Sequence, residues 1–334
     1  MQRKYSFIIP VFNRPDEVRE LLDSFKKLEY SAGFEIVIIE DGSTITCKHI
    51  VTDHIDDLNI AYFFKPNSGP GDSRNFGMQK ATGNYFIILD SDCIMPANYL
   101  KEVELSLISK YVDFFGGPDS GHESFSNLQK AINFVMTSFI TTGGIRGNTK
   151  TLHKFQPRSF NMGISKKAFL ESDGFGQIHP GEDPDLTLRL WELGYTSKLI
   201  EKAYVYHKRR ISWSKFYKQV HKFGLVRPIL NLWHPKSKKI TFWFPTMYMI
   251  YSIIALILLI LGYKGLFVLL VLYNSAVFVL GFYNTNSIII ACQIILALQI
   301  QFFGYGYGFI KSTLMLSLIK KPAESIFPYL FFKK

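Results

Sequence analysis

The feature that most constrains this chain is a long apolar stretch in its last third. Between Phe242 and Ile310 the single formally charged residue is Lys264, whereas charges occur throughout the sequence before about Ile240. The stretch divides into three runs, each near the ~20 residues that an α-helix needs to cross a bilayer. The runs are Phe244–Leu261, Leu266–Phe282 and Ser287–Phe303. We therefore predict C-terminal transmembrane helices in a lipid bilayer, preceded by a soluble part.

The number of crossings stays open on the sequence alone. Three crossings would place the C-terminal end on the side opposite the soluble part. Lysines nevertheless cluster at that end, and basic residues favour the cytoplasmic side of a membrane. Gly304–Ile319 is the candidate for a fourth segment, short or re-entrant. We therefore predict three or four spans.

The charge of the chain points to the same partner. The formal net charge is +11, and much of it falls between Lys198 and Lys239 and at the C-terminal end, beside the apolar block. Basic segments next to membrane spans attract anionic lipid headgroups. Because the apolar runs already account for such a basic collar, we expect a membrane surface as the partner and no nucleic acid.

Cysteine usage and the N-terminal segment bear on the compartment. The three cysteines, Cys47, Cys93 and Cys292, are widely spaced and form no C-x-x-C pair, so neither a disulfide framework nor a zinc site is predicted. The first apolar run is short and contains Pro10, which is not typical of a signal peptide. We expect a multi-pass protein of the cytoplasmic membrane whose soluble domain faces the cytoplasm.

The residues before the apolar block alternate between strand and helix patterns. Such alternation predicts a parallel α/β sheet. Strands are expected at Tyr5–Val11, Phe34–Ile39, Ile60–Phe64, Tyr85–Leu89, Phe160–Ile164 and Ser197–Val205, and helices at Asp16–Leu28, Asp72–Ala81, Leu128–Ile145, Lys166–Glu171 and Asp185–Leu193. The helix at Leu128–Ile145 is expected either on the sheet or at the membrane surface.

These patterns divide the chain into three parts. We predict a catalytic domain at residues 1–210, a basic aromatic linker at 211–240 and a membrane anchor at 241–334. Within the linker, Ser212–Trp233 places aromatic residues among cations at helical spacing. That arrangement is typical of a helix in the membrane interface, although a helix packed on the surface of a domain has the same pattern.

Acidic residues follow two of the predicted strands. Asp41 ends E-D-G-S after the second strand, and Asp90 and Asp92 form D-S-D after the strand Tyr85–Leu89. In open α/β sheets, ligands bind at the carboxyl ends of the strands. Asp41 is suited to accept a hydrogen bond from a nucleotide base or a ribose hydroxyl. The two carboxylates of D-S-D are suited to hold a hard divalent cation against a diphosphate. Each motif alone also fits an ordinary turn.

A third acidic cluster, G-E-D-P-D, stands before the helix Asp185–Leu193. One of its carboxylates, Asp183 or Asp185, is expected to cap the helix. Another is suited to act as a general base, since crowded carboxylates raise one another's pKa.

Taken in order, these blocks resemble glycosyltransferase family 2, whose members have the GT-A fold. The resemblance covers about Tyr5–Arg210 and rests on five segments: F-I-I-P-V-F-N-R-P, I-I-E-D-G-S, A-T-G-N-Y-F-I-I-L-D-S-D-C, N-M-G-I-S and G-E-D-P-D-L-T-L-R-L-W-E-L-G-Y. It implies a Rossmann-like nucleotide-binding catalytic domain, a nucleoside-diphosphate sugar as donor, with uridine the expected base, and a divalent cation, manganese or magnesium.

The resemblance also implies roles for individual residues. A nucleotide pocket is implied for Pro10, Asn13 and Asp41; donor binding for Arg74, Asn75 and Asp90; and the metal for Asp92, Asp90 and His207. The E-D pair Glu182–Asp183 is implied as catalytic, with Asp183 the base, and Asn161 of N-M-G-I-S would face a sugar. Arg209 or Arg210 is expected to help hold the diphosphate.

The sequence departs from the processive branch of this family. That branch carries Q-x-x-R-W on an interface helix, whereas residues 219–227 here read Q-V-H-K-F-G-L-V-R. We therefore expect inverting transfer of one sugar to a hydroxyl of a lipid-linked or membrane acceptor. The alternatives are transfer to polyprenyl phosphate, which needs no base, and a non-catalytic membrane-anchored protein that binds sugar nucleotides.

Overall fold

The computed structural model describes residues 3–120, 125–142, 155–207 and 212–332. The chain forms two compact units, each discontinuous in sequence. The sheet unit consists of Met1–His122, Leu152–Lys208 and Phe331–Lys334, and the helical unit of Glu123–Thr151 and Arg209–Leu330. The predicted domains, with boundaries at residues 210 and 240, are continuous in sequence. The two compact units differ from them because residues 123–151 belong to the helical unit and residues 331–334 to the sheet unit.

Most of the predicted strands are present, and each predicted helix of the soluble part has a counterpart among the described residues. The strands are β1 Tyr5–Val11, β2 Glu35–Asp41, β3 Ile60–Lys65, β4 Tyr85–Leu89, β5 Cys93–Ile94, β6 Phe114–Gly116, β7 Asp119–Ser120, β8 Asn161–Ser165, β9 Ser197–Leu199 and β10 Val205–His207. The helices are α1 Pro15–Phe25, α2 Lys48–Thr52, α3 Pro70–Lys80, α4 Tyr99–Ser109, α5 Asn127–Thr137, α6 Phe139–Thr142, α7 Lys166–Ser172, α8 Glu182–Glu192, α9 Trp213–Trp233, α10 Phe244–Ile260, α11 Gly265–Thr285, α12 Ile288–Leu318 and α13 Ala323–Ile326.

The main sheet is mixed and has the order β3-β2-β1-β4-β8-β6-β9. The four strands from β3 to β4 are parallel, as predicted, whereas β8 runs antiparallel to both β4 and β6. Side chains of β1 alternate between two apolar layers: Phe7 and Ile9 pack with α1 and α4, and Ile8 packs with α3, α7 and α8. The parallel strands therefore lie between two layers of helices, and their carboxyl ends share one edge.

The single closing strand predicted over Ser197–Val205 is wrong. The chain turns after β9, where the Ala203 N–H donates to the Ile200 carbonyl at 3.1 Å. As a result β9 joins the edge of the main sheet, and β10 joins a second sheet of order β5-β10-β7. That small sheet pairs Cys93 with His207 and so connects β10 to the turn that follows β4.

Among the described residues of the helical unit, three helices are long and apolar enough to cross a membrane. Residues 304–318, within the candidate fourth segment, continue α12, a helix of 31 residues, and the number of spans stays a prediction. Glycines let helices approach closely: a Cβ on Gly224 of α9 would lie 2.2 Å from the Tyr305 carbonyl oxygen of α12. Small residues at such crossings are typical of membrane helices. One face of helix α9 therefore packs against α12.

Helix α5 also belongs to the helical unit. Its residues Ala131, Ile132 and Val135 share an apolar core with Ile294 and Phe302 of α12. The prediction of a helix over Leu128–Ile145 is confirmed for residues 127–142, with a break at Ser138, and residues 143–145 lie outside the described part. The position of this helix, on the sheet or at the membrane surface, stays a prediction.

Candidate active site

The carboxylate of Asp41 organises the turn after β3. Asp41 is 3% exposed and accepts from Lys65 Nζ at 2.8 Å and from the backbone N–H groups of Ser68 and Gly69 at 3.0 and 2.9 Å. Both oxygens of Asp41 are engaged inside the protein, and its place in the nucleotide pocket stays a prediction. Its position at the carboxyl end of β2 is as predicted.

Asn13 connects the loops that follow β1 and β2. It has a positive φ of 54°, and its Oδ1 accepts from the backbone N–H groups of Thr44 and Ile45 at 2.8 and 3.0 Å. Its own N–H donates to Ser43 Oγ at 2.8 Å. Pro10, within β1, is half-buried opposite Ile39. Both residues therefore shape this edge of the sheet, where the nucleotide pocket is predicted.

Asp90 and Asp92, here called the strand-end cluster, each lie against an arginine. Asp90 Oδ1 accepts from Arg74 Nη2 at 2.9 Å, and Asp92 Oδ2 accepts from Arg14 Nη1. The Asp90 side chain is 33% exposed and that of Asp92 is 14% exposed. The turn after β4 thus combines two carboxylates with two cations that a diphosphate could contact.

Arg74 joins this cluster to the start of α8. It is 3% exposed, and its Nη1 donates to Glu182 Oε1 at 3.1 Å. Burial alone would lower the pKa of Arg74, but the carboxylates of Asp90, Glu182 and Asp183 outweigh burial and hold its pKa above the ordinary value. A permanently charged, buried arginine therefore links two acidic clusters that lie 92 residues apart in sequence, counted from Asp90 to Glu182.

Asn75, for which donor binding stays a prediction, pairs with the backbone of Phe175. Its Nδ2 donates to the Phe175 carbonyl at 2.9 Å, and its Oδ1 accepts from the Phe175 N–H at 2.8 Å. The side-chain amide of Asn75 thus makes the same two hydrogen bonds to Phe175 that the backbone of a neighbouring β-strand would make. Asn75 thereby holds residue 175 at the beginning of the loop before α8, here called the base loop, residues 175–181.

Glu182 and Asp183, here called the helix-start cluster, occupy the first turn of α8. The residue before them, Gly181, has a φ of 127° and is the N-cap, and no side chain caps the helix. The predicted cap at Asp183 or Asp185 is therefore wrong; Asp185 instead accepts from Arg189 Nε at 3.0 Å. Uncapped N–H groups at a helix start favour negative charge nearby.

The two carboxylates of the helix-start cluster differ in their partners. Glu182 Oε1 accepts from Arg74 and lies 3.0 Å from His179 Nδ1. Burial would raise the pKa of Glu182, but His179 and Arg74 lower it below the ordinary value. Burial and the negative charge of Glu182 raise the pKa of Asp183, against the opposing charges of Arg74 and Arg158. One acid is therefore held ionised, and its neighbour is made more basic.

Asp183 also keeps one oxygen uncommitted. The Ser159 hydroxyl hydrogen-bonds to the Asp183 side chain, whereas Asp183 Oδ1 is buried and has no hydrogen-bond partner among the described residues. A buried carboxylate oxygen without a partner is costly and needs an explanation, of which a catalytic role is one. This geometry suits a group that accepts a proton.

Asn161 connects three elements of the sheet unit. Its side chain is fully buried, its Oδ1 accepts from Tyr99 Oη at 2.6 Å and its Nδ2 donates to the Ala203 carbonyl at 2.8 Å. The amide thus ties β8 to α4 and to the turn after β9, and the sugar contact implied for Asn161 stays a prediction. Arg209 and Arg210 lie outside the described residues, as does the side chain of His207, whose backbone ends β10.

Sequence reasoning missed several partners of the predicted acids. They are Arg14 on Asp92, Lys65 on Asp41, His179 on Glu182, and Arg158 and Ser159 at Asp183. Arg14 stands inside the first family segment, and His179 precedes Glu182 by three residues, so local signals existed for both. Arg158 and Ser159 carry no such signal.

Part of the sheet unit is similar in sequence to a known protein family. Residues 6–171 match the model of glycosyl transferase family 2. An uncharacterized glycosyltransferase of Rickettsia bellii is 31% identical over 145 residues, which are 43% of this chain and 20% of that protein. The chain therefore spans about a fifth of the length of this relative.

Two further proteins cover more of the chain. The GalNAc(5)-diNAcBac-PP-undecaprenol beta-1,3-glucosyltransferase of Campylobacter jejuni is 26% identical over 208 residues, 61% of this chain and 62% of that protein. The structure of the mannosyltransferase PcManGT from Pyrobaculum calidifontis, in complex with GDP-Man and Mn2+, has a TM-score of 0.58 at 13% identity and covers 94% of this chain and 88% of that one. Through residues 6–171 the chain belongs to glycosyl transferase family 2, and its sheet unit has the mixed α/β fold of GT-A enzymes.

Proposed function

We propose that the protein is an inverting glycosyltransferase that moves one sugar from a nucleoside-diphosphate sugar, UDP-linked in our expectation, to a hydroxyl of a lipid-linked acceptor. The observation that carries this proposal is the difference in hydrogen bonding between Glu182 and Asp183 at the start of α8. Glu182 is committed to Arg74 and His179, while Asp183 keeps a buried oxygen without a partner among the described residues. A base that acts on a hydroxyl needs such an oxygen.

The proposed reaction is a single displacement. Asp183 takes the proton of the acceptor hydroxyl as its oxygen forms a bond to the anomeric carbon. The bond from that carbon to the diphosphate oxygen breaks on the opposite face, and the nucleoside diphosphate leaves with the electron pair. Attack from the opposite face inverts the anomeric configuration. Glu182 stays ionised, and its negative charge raises the pKa of Asp183.

The strand-end cluster is proposed to bind the donor diphosphate. Two carboxylates on one turn offer the hard oxygen ligands that Mg²⁺ or Mn²⁺ prefers, so Asp90 and Asp92 fit such an ion. When bound, the cation would supply positive charge to the diphosphate. Among the described residues no group of three or more His, Cys, Asp and Glu is arranged to hold a metal, and His207 stays the proposed third ligand. Arg14 and Arg74 add fixed positive charge beside it.

The acceptor is proposed to be attached to a lipid. The Campylobacter relative is named for an acceptor linked to undecaprenol through a diphosphate. The three apolar helices of this chain would hold its active site near such a molecule. The absence of R-W in residues 219–227 supports addition of a single sugar.

We propose that the catalytic domain faces the cytoplasm and that the chain crosses the membrane an even number of times. Phe331 and Phe332 pair with Ile178 and Gln177 inside the sheet unit. This pairing supports the proposal that both ends of the segment that contains the apolar helices lie on one side of the membrane. This arrangement agrees with the lysines at the C-terminal end, and it requires that one of the three helices does not cross completely.

Fusion of a fluorescent protein after Lys334 tests this topology. Fluorescence in intact bacterial cells, together with an inactive alkaline phosphatase in the matching fusion, is the expected result. Active phosphatase at that position would contradict an even number of crossings.

The activity is tested with the detergent-extracted full chain, a panel of nucleotide sugars, and acceptors that end either in a sugar hydroxyl or in a polyprenyl phosphate. We expect transfer to a hydroxyl acceptor that Asp183→Asn reduces by about 10²- to 10⁴-fold. Asp173→Asn, an exposed acid with the same change of charge, is the matched control. Unchanged turnover of Asp183→Asn with polyprenyl phosphate would overturn the hydroxyl acceptor and favour the polyprenyl-phosphate alternative.

A further inference from the structure

The last described residues of the chain lie against the base loop. Phe331 forms an antiparallel bridge with Ile178, and the Phe332 N–H donates to the Gln177 carbonyl at 3.1 Å. Ile178 is 1% exposed. The C-terminal segment therefore adds a short backbone pairing to a loop that otherwise begins at the Asn75–Phe175 pair and ends at Gly181.

The ring of Phe332 contacts a second part of the site. A Cβ on Gly69 would lie 2.3 Å from Phe332 Cδ2, so the ring packs where Gly69 has no side chain. Gly69 also has a φ of 93°, and its N–H donates to Asp41. On its other side, the Phe332 ring centroid lies 5.9 Å from that of His179. One aromatic ring thus joins the turn held by Asp41 to the base loop.

His179 contacts both the Phe332 ring and the Glu182 carboxylate. Its Nδ1 lies 3.0 Å from Glu182 Oε1, the oxygen that also accepts from Arg74. The position of Glu182, and with it the charge beside Asp183, therefore depends on where the base loop holds His179. The apolar contact of Phe332 restricts that loop without adding a charge to it.

We propose that Phe332 is a positioning residue for the proposed transfer, which fixes the base loop and thereby His179 and Glu182. The inference rests on the proposed function. It also means that the C-terminal segment, which follows the apolar helices, helps to hold the proposed active site in place. Phe332 acts through other residues and takes no part in the bond changes.

Steady-state kinetics of the full chain test the catalytic consequence. We expect Phe332→Ala to lower kcat about tenfold with donor KM within about twofold, because small displacements of catalytic groups cost rate. Phe332→Leu, which keeps apolar bulk against Gly69, should restore most of the rate. Tyr329→Ala, which removes an exposed ring three residues earlier, is the control. A wild-type kcat in Phe332→Ala, or a loss confined to donor KM, would overturn the proposal.

Hydrogen exchange tests the anchoring without using activity. In Phe332→Ala, and in a chain that stops after Leu330, amides of residues 175–181 should exchange about tenfold faster than in the wild type, with β1 and β4 unchanged. Unchanged exchange in this loop would overturn the anchoring role. A wild-type protein without transfer activity would contradict the proposed function, and the exchange experiment would still decide the role of Phe332.

Discussion

The strand-end cluster and the helix-start cluster each contain two carboxylates, but their surroundings differ. Asp90 and Asp92 are partly exposed, and each accepts from an arginine. In the helix-start cluster, two basic side chains converge on Glu182, and Asp183 is left with a buried oxygen that has no partner among the described residues. An arginine on each strand-end acid suits the binding of a charged ligand, whereas in the helix-start cluster Arg74 and His179 occupy Glu182 and leave Asp183 Oδ1 as the oxygen proposed to take a proton.

Arg74 contacts both clusters, so its removal should have the largest effect. Arg74→Ala would leave Asp90 and Glu182 without their shared partner, and loss of one member of a buried ion pair costs about 3–5 kcal/mol. We expect a loss of this size in the free energy of unfolding, measured by denaturant titration of the extracted protein. Arg19→Ala, whose 3.5 Å ion pair with Asp53 is largely exposed, is the control and should change stability little.

Removal of one strand-end carboxylate should affect ligand binding more than folding. Asp92→Asn is expected to weaken binding of the nucleotide sugar in the presence of Mn²⁺ by about tenfold or more, since a carboxylate ligand to the cation is lost. Isothermal titration with UDP- and GDP-sugars measures this change. Equal affinity in the variant and the wild type would show that the strand-end cluster does not hold the donor.

The smallest expected effect concerns the pH dependence of transfer. Burial and the charge of Glu182 raise the pKa of Asp183, so activity should fall on acidification at a higher pH than for an ordinary aspartate base. Glu182→Gln removes that neighbouring negative charge, and the acidic limb of the kcat profile should move to lower pH. A limb that moves upward or stays in place would contradict the proposed coupling between the two acids.

Much of this fold follows from local patterns in the sequence. The strands β1, β2 and β4 are short apolar runs that are almost completely buried, and the acidic residues at the end of β2 and after β4 mark the edge where the ligand is predicted to bind. The order of the later strands does not follow from such patterns. Because β8 pairs antiparallel with both β4 and β6, the sheet departs from the parallel arrangement that simple alternation predicts.

The candidate site was predictable for its acids and not for their partners. Asp90, Asp92 and Asp183 stand in short motifs whose chemistry is visible in sequence. Arg14 reaches Asp92 across 78 residues, and Phe332 reaches the base loop from the end of the chain. Such contacts depend on tertiary packing, which no local spacing encodes. The same reason explains why the two hydrogen bonds of the buried Asn161 amide were not predicted.

The most direct test of the difference between the two clusters is a paired measurement of donor affinity and transfer rate in Asp183→Asn and Asp92→Asn. Asp183→Asn should bind the nucleotide sugar with wild-type affinity and lose transfer, because its carboxylate acts on the acceptor hydroxyl. Asp92→Asn should lose donor affinity. Loss of donor affinity in Asp183→Asn, with transfer reduced only in proportion, would contradict the assignment of Asp183 as the base.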